Sequence, residues 1–395
     1  MKSTKPLVSI VGCGFSGLTL AYFLFKEGFP VQVLHEGPIG GMLQTELKPQ
    51  MQIEAAANSL LMSESLETLA SDVGCPLLYP QNSARAKFIF RGGFRRWPLS
   101  FGSSLKLFAF FLPRFLFFKS RMRPLKYETV ETWATRAFNI EILQYLISPF
   151  LQGIYAGDVQ KLSASLVFPK KSEKSKRQIV APPFGLHQLM SSIADFLKKS
   201  GVLFIQKKVQ SLNEIQSPKV LAVAFRDLPK LDSDLDLKGI NQLEVVRVTL
   251  GFKEAKHKIF GFGVLFPSTE NMNSLGVLAN SQIFENRGDL YNESWILGGA
   301  LNPEIVQGSD EEILEKIRED RIKMFGADES WSQVSVIRWP KAYVHYDLAL
   351  EKWLDSEPFQ KKDYFVTGNY LGGLGLSKIL ENNKNLAKKI AGIYE

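Results

Sequence analysis

Leu7-Val8-Ser9-Ile10-Val11-Gly12-Cys13-Gly14-Phe15-Ser16-Gly17-Leu18 decides how this chain is read, together with Val31-Gln32-Val33-Leu34-His35-Glu36 shortly after it. The apolar run Leu7 to Val11, bounded by Pro6 and Gly12, predicts a buried parallel strand. Ser16 to Lys26 predicts a helix, with Gly28 just past its end. Val31 to Leu34 predicts a second strand, ending at His35 and Glu36. Between strand and helix stands a G-x-G-x-x-G loop made of Gly12, Cys13, Gly14, Phe15, Ser16 and Gly17. In such a loop the first glycine makes the tight turn and the second lets backbone approach a pyrophosphate. The third lets the helix pack on the strand. Phosphates then sit on the free N–H groups at the helix start, where the dipole is positive. Glu36 lies about 20 residues beyond the glycines, where an acid accepts hydrogen bonds from ribose hydroxyls and opposes a 2′-phosphate. Cys13 reads as a loop filler rather than a redox thiol.

Two more glycine clusters extend the reading. Gly40-Gly41 follows the acid and allows close passage beside a bound dinucleotide, which favours FAD over NAD. Gly368-Asn369-Tyr370-Leu371-Gly372-Gly373-Leu374-Gly375-Leu376 follows a predicted strand, Tyr364 to Thr367, and precedes a predicted helix, Ser377 to Tyr394. A nucleotide fold begun at the N-terminus and completed at the C-terminus implies domains discontinuous in sequence. Between them, helical character is expected over Glu131 to Ile147, Gly185 to Lys199 and Ser309 to Phe325. Strands are expected over Val202 to Gln206, Gln242 to Leu250 and Gly263 to Phe266.

The 395 residues suit two or three structural units. With 45% hydrophobic and 22% charged residues, the chain can bury a core and is not disordered. The net charge of +8 suits an anionic partner, but no recognisable nucleic-acid module accompanies it, so nucleic acid is not expected. Two cysteines, Cys13 and Cys75, form neither a disulfide framework nor a metal site, and no metal is expected. The apolar start runs straight into the glycine loop and is not read as a signal peptide. No stretch approaches the roughly 18 uninterrupted apolar residues of a spanning helix.

Beyond the loop, an ordered set of segments resembles the flavin-dependent amine oxidase superfamily and, within it, the protoporphyrinogen oxidase family. Pro149-Phe150-Leu151-Gln152-Gly153-Ile154-Tyr155-Ala156-Gly157-Asp158, running on to Lys161-Leu162-Ser163, is similar to that family's PF-x-x-GIYAGD-x-x-x-LS signature. Gly261-Phe262-Gly263-Val264-Leu265-Phe266-Pro267-Ser268 is similar to its GFG-x-L-x-PS strand. Leu275 to Leu278 and Ser281 to Phe284 resemble the stretch that follows, and Gly368 to Leu376 the C-terminal flavin segment.

The resemblance implies an α/β fold: a discontinuous Rossmann-type FAD-binding domain, a mixed-sheet substrate domain and a helical membrane-binding insertion. The implied boundaries are 1–78, 182–240 and 340–395 for FAD; 79–102 and 241–339 for substrate; and 103–181 for the insertion. The implied reaction is oxidation of protoporphyrinogen IX to protoporphyrin IX in haem biosynthesis, with FAD as cofactor and molecular oxygen as acceptor. The flavin carries the chemistry and no catalytic side chain is assigned. By matching motif, Gly153, Leu265, Leu278 and Ile296 would line the macrocycle. Lys87 stands where the family has a propionate-binding arginine, and Arg85 is a neighbouring cation. Val209 and Trp339 would join Gly12 to Gly17, Glu36, Gly40, Gly41, Gly368, Asn369, Gly373, Leu374 and Gly375 at the cofactor. Met42, Ala55-Ala56-Ala57, Ile296 and Lys341-Ala342-Tyr343-Val344-His345-Tyr346 depart from the family pattern, the last losing its proline.

The Phe-rich run Leu105 to Phe118, interrupted by Pro113 and followed by Lys119, Arg121, Arg123 and Lys126, falls in the implied insertion. Its basic rim favours contact with a membrane surface over burial as a core helix. That makes the expected location cytoplasmic, peripheral to the cytoplasmic membrane; a homodimer is left open. Three rival readings remain. One is a coproporphyrinogen III oxidase of the same fold. Another is an amine oxidase or desaturase, whose aromatic cage would have to come from Trp339 and Tyr370. The third is a flavin-binding paralogue without turnover.

Overall fold

The computed structural model describes residues 5–108, 123–168 and 178–394. Strand Val8–Val11 is buried at every position and is the middle strand of a five-stranded sheet. The order is Tyr364–Val366, Lys219–Leu221, Val8–Val11, Val31–His35, Leu203–Gln206. Every pairing in it is parallel, so each strand needs a crossover and both faces must be covered. One face carries helices Phe15–Lys26, Leu186–Lys199 and Leu376–Tyr394, packed through Leu18, Leu189, Ile193 and Leu380. Helices Val130–Ala137, Ala164–Val167 and Leu348–Asp355 cover the other through Trp133, Ala134, Ala164 and Leu350. Residues 130–168, assigned above to the insertion, therefore include the backing of the parallel sheet.

The second sheet has seven strands in the order Gln333–Val344, Gln242–Phe252, Tyr291–Gly298, Ser274–Leu278, Gly263–Leu265, Lys87–Phe90, Phe94–Arg95. It is mixed: Gly263–Leu265 runs parallel to Lys87–Phe90, and the other pairs are antiparallel. Its first strand runs on past residue 339 to Val344. The period-2 alternation divides its two faces. Val246, Val248, Leu250, Phe266, Val277, Trp295 and Leu297 face Ile313 and Ile317 of helix Asp310–Phe325. That helix starts in a capping box between Ser309 and Glu312 and stops at Gly326, φ 75°. Under it, Arg321 bonds Glu293 and, at 2.9 Å, Glu329, all three almost without exposure.

The expected helix over Glu131 to Ile147 is interrupted. Val130–Ala137 ends at Phe138, Asn139 caps Ile140–Ile142, and Leu143–Ile147 is a wide π-type turn leading into Ser148–Tyr155. Residues 101–108 are helical, with Phe101, Leu105 and Phe108 exposed. The rest of the Phe-rich run, with Pro113, Lys119 and Arg121, lies outside the described residues. Lys126 pairs with Asp355 at 2.8 Å. Among the described residues, no helix is long and apolar enough to cross a membrane.

Candidate cofactor and substrate site

At the end of strand Val8–Val11 the backbone turns at Gly12, φ 110°. A Cβ on Gly17 would sit 1.9 Å from the Gly12 carbonyl oxygen, so helix and strand touch backbone to backbone there. Gly14 caps the helix with no side-chain hydrogen bond, and no acid stands in the first turn. The first N–H groups are thus left for an incoming anion. A Cβ on Gly14 would meet nothing closer than Gly41 Cα at 3.9 Å. The fold does not need a glycine at that position, whereas a ligand lying against the backbone does. This loop fits the pyrophosphate of a dinucleotide.

Gly40-Gly41 closes the loop's flank. Gly40 bridges to Gly14, and its N–H donates to the Cys13 carbonyl at 2.9 Å. The pair is therefore first a close-packing partner of the glycine loop. Glu36 stands just past strand Val31–His35; its carboxylate pairs with Lys208 at 3.0 Å, both well exposed. Cys13 is buried against the Gly37 and Pro38 carbonyls, and burial pushes its thiol pKa up, as suits a filler and not a nucleophile.

The C-terminal turn Gly368–Gly375 follows strand Tyr364–Val366 at the same edge of the sheet, with Gly372 at φ 82°. It is held from both sides. Tyr346 Oη donates to the Asn369 carbonyl. Thr367 bonds Asn383, whose amide donates to the Ser16 carbonyl at 2.8 Å and Thr19 Oγ1 at 2.7 Å. The helix after the turn is in this way fixed to the helix after the glycine loop. Val209 is half-buried in the apolar cluster on the sheet's other face, a cluster that also holds Val11 just before the glycine loop. Trp339 donates its indole N–H to the Ala55 carbonyl at 2.7 Å.

The substrate candidates come together through strand register. Lys87 pairs with Gly263, which pairs with Leu278; Leu265 pairs with Ile89 and Gly276, and Gly276 with Ile296. All point away from the helix-covered side, so Lys87, Leu265, Leu278 and Ile296 share one face of the mixed sheet. Gly153 lies on that face: a Cβ there would meet Leu265 Cδ2 at 2.5 Å. Ile296 and Trp339 pack with Ala156 and Tyr343 in one small apolar cluster. Lys87 is exposed, its ammonium 5.2 Å over the Phe262 ring. Arg85 is exposed too, in the turn before that strand. The arrangement is an apolar shelf with cations at one edge. A cavity of about 520 Å³ beside Trp353 is lined by none of these residues.

His345 is buried. Its Nδ1 meets Asp347 at 3.2 Å, and its Nε2 accepts the Asp158 N–H at 3.4 Å. Burial raises the Asp347 pKa, but hydrogen bonds from His345 and the Leu350 N–H outweigh it and leave it lowered. The pair clasps the Gly157-Asp158 turn to helix Leu348–Asp355.

Arg247 was missed by the sequence reading. It pairs with Ile296 and with Ile337 across the shared face, 4% exposed, and donates to the Ala56 carbonyl, Asn58 and, at 2.9 Å, Ser294. Burial pulls its pKa down to about 10, against the opposing field of Glu54. The signal was available: it is the one charged residue in Val245-Val246-Arg247-Val248-Thr249-Leu250.

Residues 10–72 match the family model of an NAD(P)-binding Rossmann-like domain. The mitochondrial protoporphyrinogen oxidase of Nicotiana tabacum is 25% identical, the alignment covering all of this chain and 96% of that one. The coproporphyrinogen III oxidase of Bacillus subtilis is 22% identical over 97% of each. A solved structure from Exiguobacterium sp. 255-15, provisionally named as a protoporphyrinogen oxidase, superposes with a TM-score of 0.80 at 17% identity, covering 98% of this chain and 99% of that one. A putrescine oxidase superposes at 0.75 with 14% identity, over 98% and 100%. The chain is distantly related to the protoporphyrinogen and coproporphyrinogen oxidases. Its fold is that of the Exiguobacterium protein and of putrescine oxidase.

Proposed function

We propose that the chain is an FAD-dependent oxidase that converts protoporphyrinogen IX to protoporphyrin IX. The observation that carries the reading is the shared sheet face of Lys87, Leu265, Leu278 and Ile296 over Gly153, in a chain aligned end to end with porphyrinogen oxidases. A porphyrinogen is a wide apolar macrocycle with carboxylate arms, and an apolar shelf edged by cations suits it. Six hydrogens leave the macrocycle; with oxygen as acceptor, three O₂ become three H₂O₂. When bound, FAD supplies the two-electron acceptor for each step.

The chain's own residues bind and orient. Gly12, Gly14 and Gly17 bring the helix start to the pyrophosphate, and Glu36 exchanges Lys208 for ribose hydroxyls. Gly153, Leu265, Leu278 and Ile296 hold the ring flat and exclude water from it. Lys87 pairs with a propionate as a point charge, without an arginine's fork, and Arg85 lies close enough in sequence to assist. The exposed Phe101, Leu105 and Phe108 form an apolar face that would rest on a membrane at the cytoplasmic side. Coproporphyrinogen III is the competing substrate, because the relationship extends as fully to the Bacillus subtilis enzyme.

The test is anaerobic mixing of flavin-loaded protein with each porphyrinogen, following flavin absorbance, then admission of oxygen and porphyrin fluorescence. Bleaching and porphyrin formation well above autoxidation with protoporphyrinogen support the reading. A faster reaction with coproporphyrinogen, from protein recovered without detergent, would transfer it to the competing substrate. Flavin that stays oxidised with both would refute both.

A further inference from the structure

Three ionised side chains are buried together where the segment after strand Met51–Glu54 crosses the front face of the mixed sheet. Arg247 is 4%, Arg287 5% and Glu54 7% exposed. Glu54 is fully engaged. It pairs with Arg287 at 3.4 Å and accepts from Gln52 at 2.9 Å, Thr45 at 2.9 Å and the Leu186 N–H at 3.3 Å. Arg247 is left with neutral acceptors: the Ala56 carbonyl, Asn58 and Ser294. Its Nε has no acceptor, and among the described residues no carboxylate lies within 4.0 Å of it. The cluster thus carries two positive charges and one negative. A buried guanidinium whose nearby carboxylate is already paired with a second guanidinium is costly, and the same volume in an apolar side chain would be cheaper.

The position of the excess charge says what it faces. The Ala55–Asn58 segment that Arg247 grips continues to the dinucleotide loop. The Ala55 N–H donates to the Gln44 carbonyl at 2.9 Å, Gln44 Nε2 donates to the Gly41 carbonyl at 3.0 Å, and Gly40 bridges to Gly14. Trp339 holds Ala55 from the sheet side. The charge therefore lies at the seam between the cofactor loop and the substrate shelf, beside Ile296. The neighbouring cavity lined by Glu54, Asn58, Asn280 and Arg287 is only about 10 Å³, the size of one water and too small for a carboxylate or phosphate. A substrate arm could pair with the ends of the guanidinium only by displacing the Ala56 carbonyl, Asn58 or Ser294. A charge that develops on a ring system at the seam needs no such contact, because a field acts through low-dielectric protein.

We propose that Arg247 is a positioning residue for electrons: its buried positive charge stabilises the negative charge that the bound flavin ring acquires on two-electron reduction, and so raises the flavin's potential. This rests on the FAD reading. The wild-type protein tests that reading first, by FAD titration. If it binds no FAD, the cofactor reading falls and this proposal with it. Given binding, Arg247→Met, Arg247→Gln and Arg247→Lys are loaded with FAD. Their flavin potential is measured by dye equilibration, and their affinity for sulfite, which leaves the ring anionic, by absorbance. Loss of the charge should weaken sulfite binding by roughly tenfold or more and lower the potential, with Arg247→Lys recovering most of both. The Gln variant carries the comparison if the Met variant fails to fold. Unchanged potential and sulfite affinity in a folded, loaded neutral variant would overturn the proposal. So would a rise confined to KM, which would make Arg247 a receptor for a substrate carboxylate.

Discussion

Replacing Gly14 and Gly17 with alanine separates what the fold needs from what the ligand needs. At Gly17 the new Cβ would lie 1.9 Å from the Gly12 carbonyl oxygen and 3.3 Å from Ala222 Cβ. Restoring a carbon–oxygen separation of about 3.3 Å requires the helix to back off by about 1.4 Å, and the obstacle is backbone, which no rotamer change relieves. Overpacking of that kind costs about 1–3 kcal/mol, offset by up to about 1 kcal/mol of alanine's better helix propensity. Gly17→Ala should thus lose stability even without cofactor. At Gly14 the nearest atom is 3.9 Å away and φ is −73°, open to any residue. Gly14→Ala should unfold at the same denaturant concentration as wild type when free of FAD, yet bind FAD at least roughly tenfold more weakly, a loss of about 1.4 kcal/mol. The assay is a urea titration of each FAD-free protein beside an FAD titration followed by flavin fluorescence. A Gly14→Ala protein that binds FAD as wild type does would show that no phosphate approaches that backbone, and the cofactor assignment would lose its geometric basis.

Other outcomes test the site and the frame around it. Lys87→Met should raise KM for the porphyrinogen by up to about fivefold with kcat unchanged, since an exposed charge pair is worth no more than about 1 kcal/mol and is lost equally from ground and transition states. Glu141 accepts from Ser103, from Arg91 at 2.5 Å and from Ser100 at 2.7 Å, and these bonds hold its pKa at about 2 against an ordinary 4.5. Its folded pKa is depressed, so its contribution is complete above about pH 4.5 and is lost as pH falls toward 2. Amide exchange over residues 100–104 should accelerate from pH 6 to pH 3 relative to intrinsic rates, and Glu141→Gln should flatten that dependence. Arg321→Met strands the wholly buried Glu293 without its cation and should cost about 3–5 kcal/mol in urea unfolding; a loss below 1 kcal/mol would mean the carboxylate is held by Tyr291 and Trp295 alone.

The glycine loop was legible because every signal in it is local. An apolar run, a turn that only glycine makes, a helix start and an acid all fall within Leu7 to Glu36, and the structure places them as spaced. The shelf was not legible in that way. Lys87 and Leu265 hold odd positions, Leu278 and Ile296 even ones, and parity along a strand says nothing about a neighbour until register is set. That register joins Lys87–Phe90 to Gly263–Leu265, far apart in sequence, in the one parallel pairing of a sheet otherwise antiparallel. Gly40-Gly41 shows a related limit: the sequence marks a close approach but not to what, and the partner is the glycine loop itself.

Arg247 shows why a locally improbable residue outweighs a matching one. Leu265 or Leu278 would be apolar in almost any core strand, so their identity carries little information about what they face. An arginine at a front-face position between Ile296 and Ile337 is costly to keep there, and packing alone offers no return for it. It stays ionised by donating to a carbonyl, an amide and a hydroxyl, all neutral, while the nearby carboxylate is taken by Arg287. Such an imbalance at the seam of two sheets is what a site for an anion or for developing negative charge requires. The potential of the bound flavin, more than any of the apolar contacts, will tell whether this chain is built to take electrons.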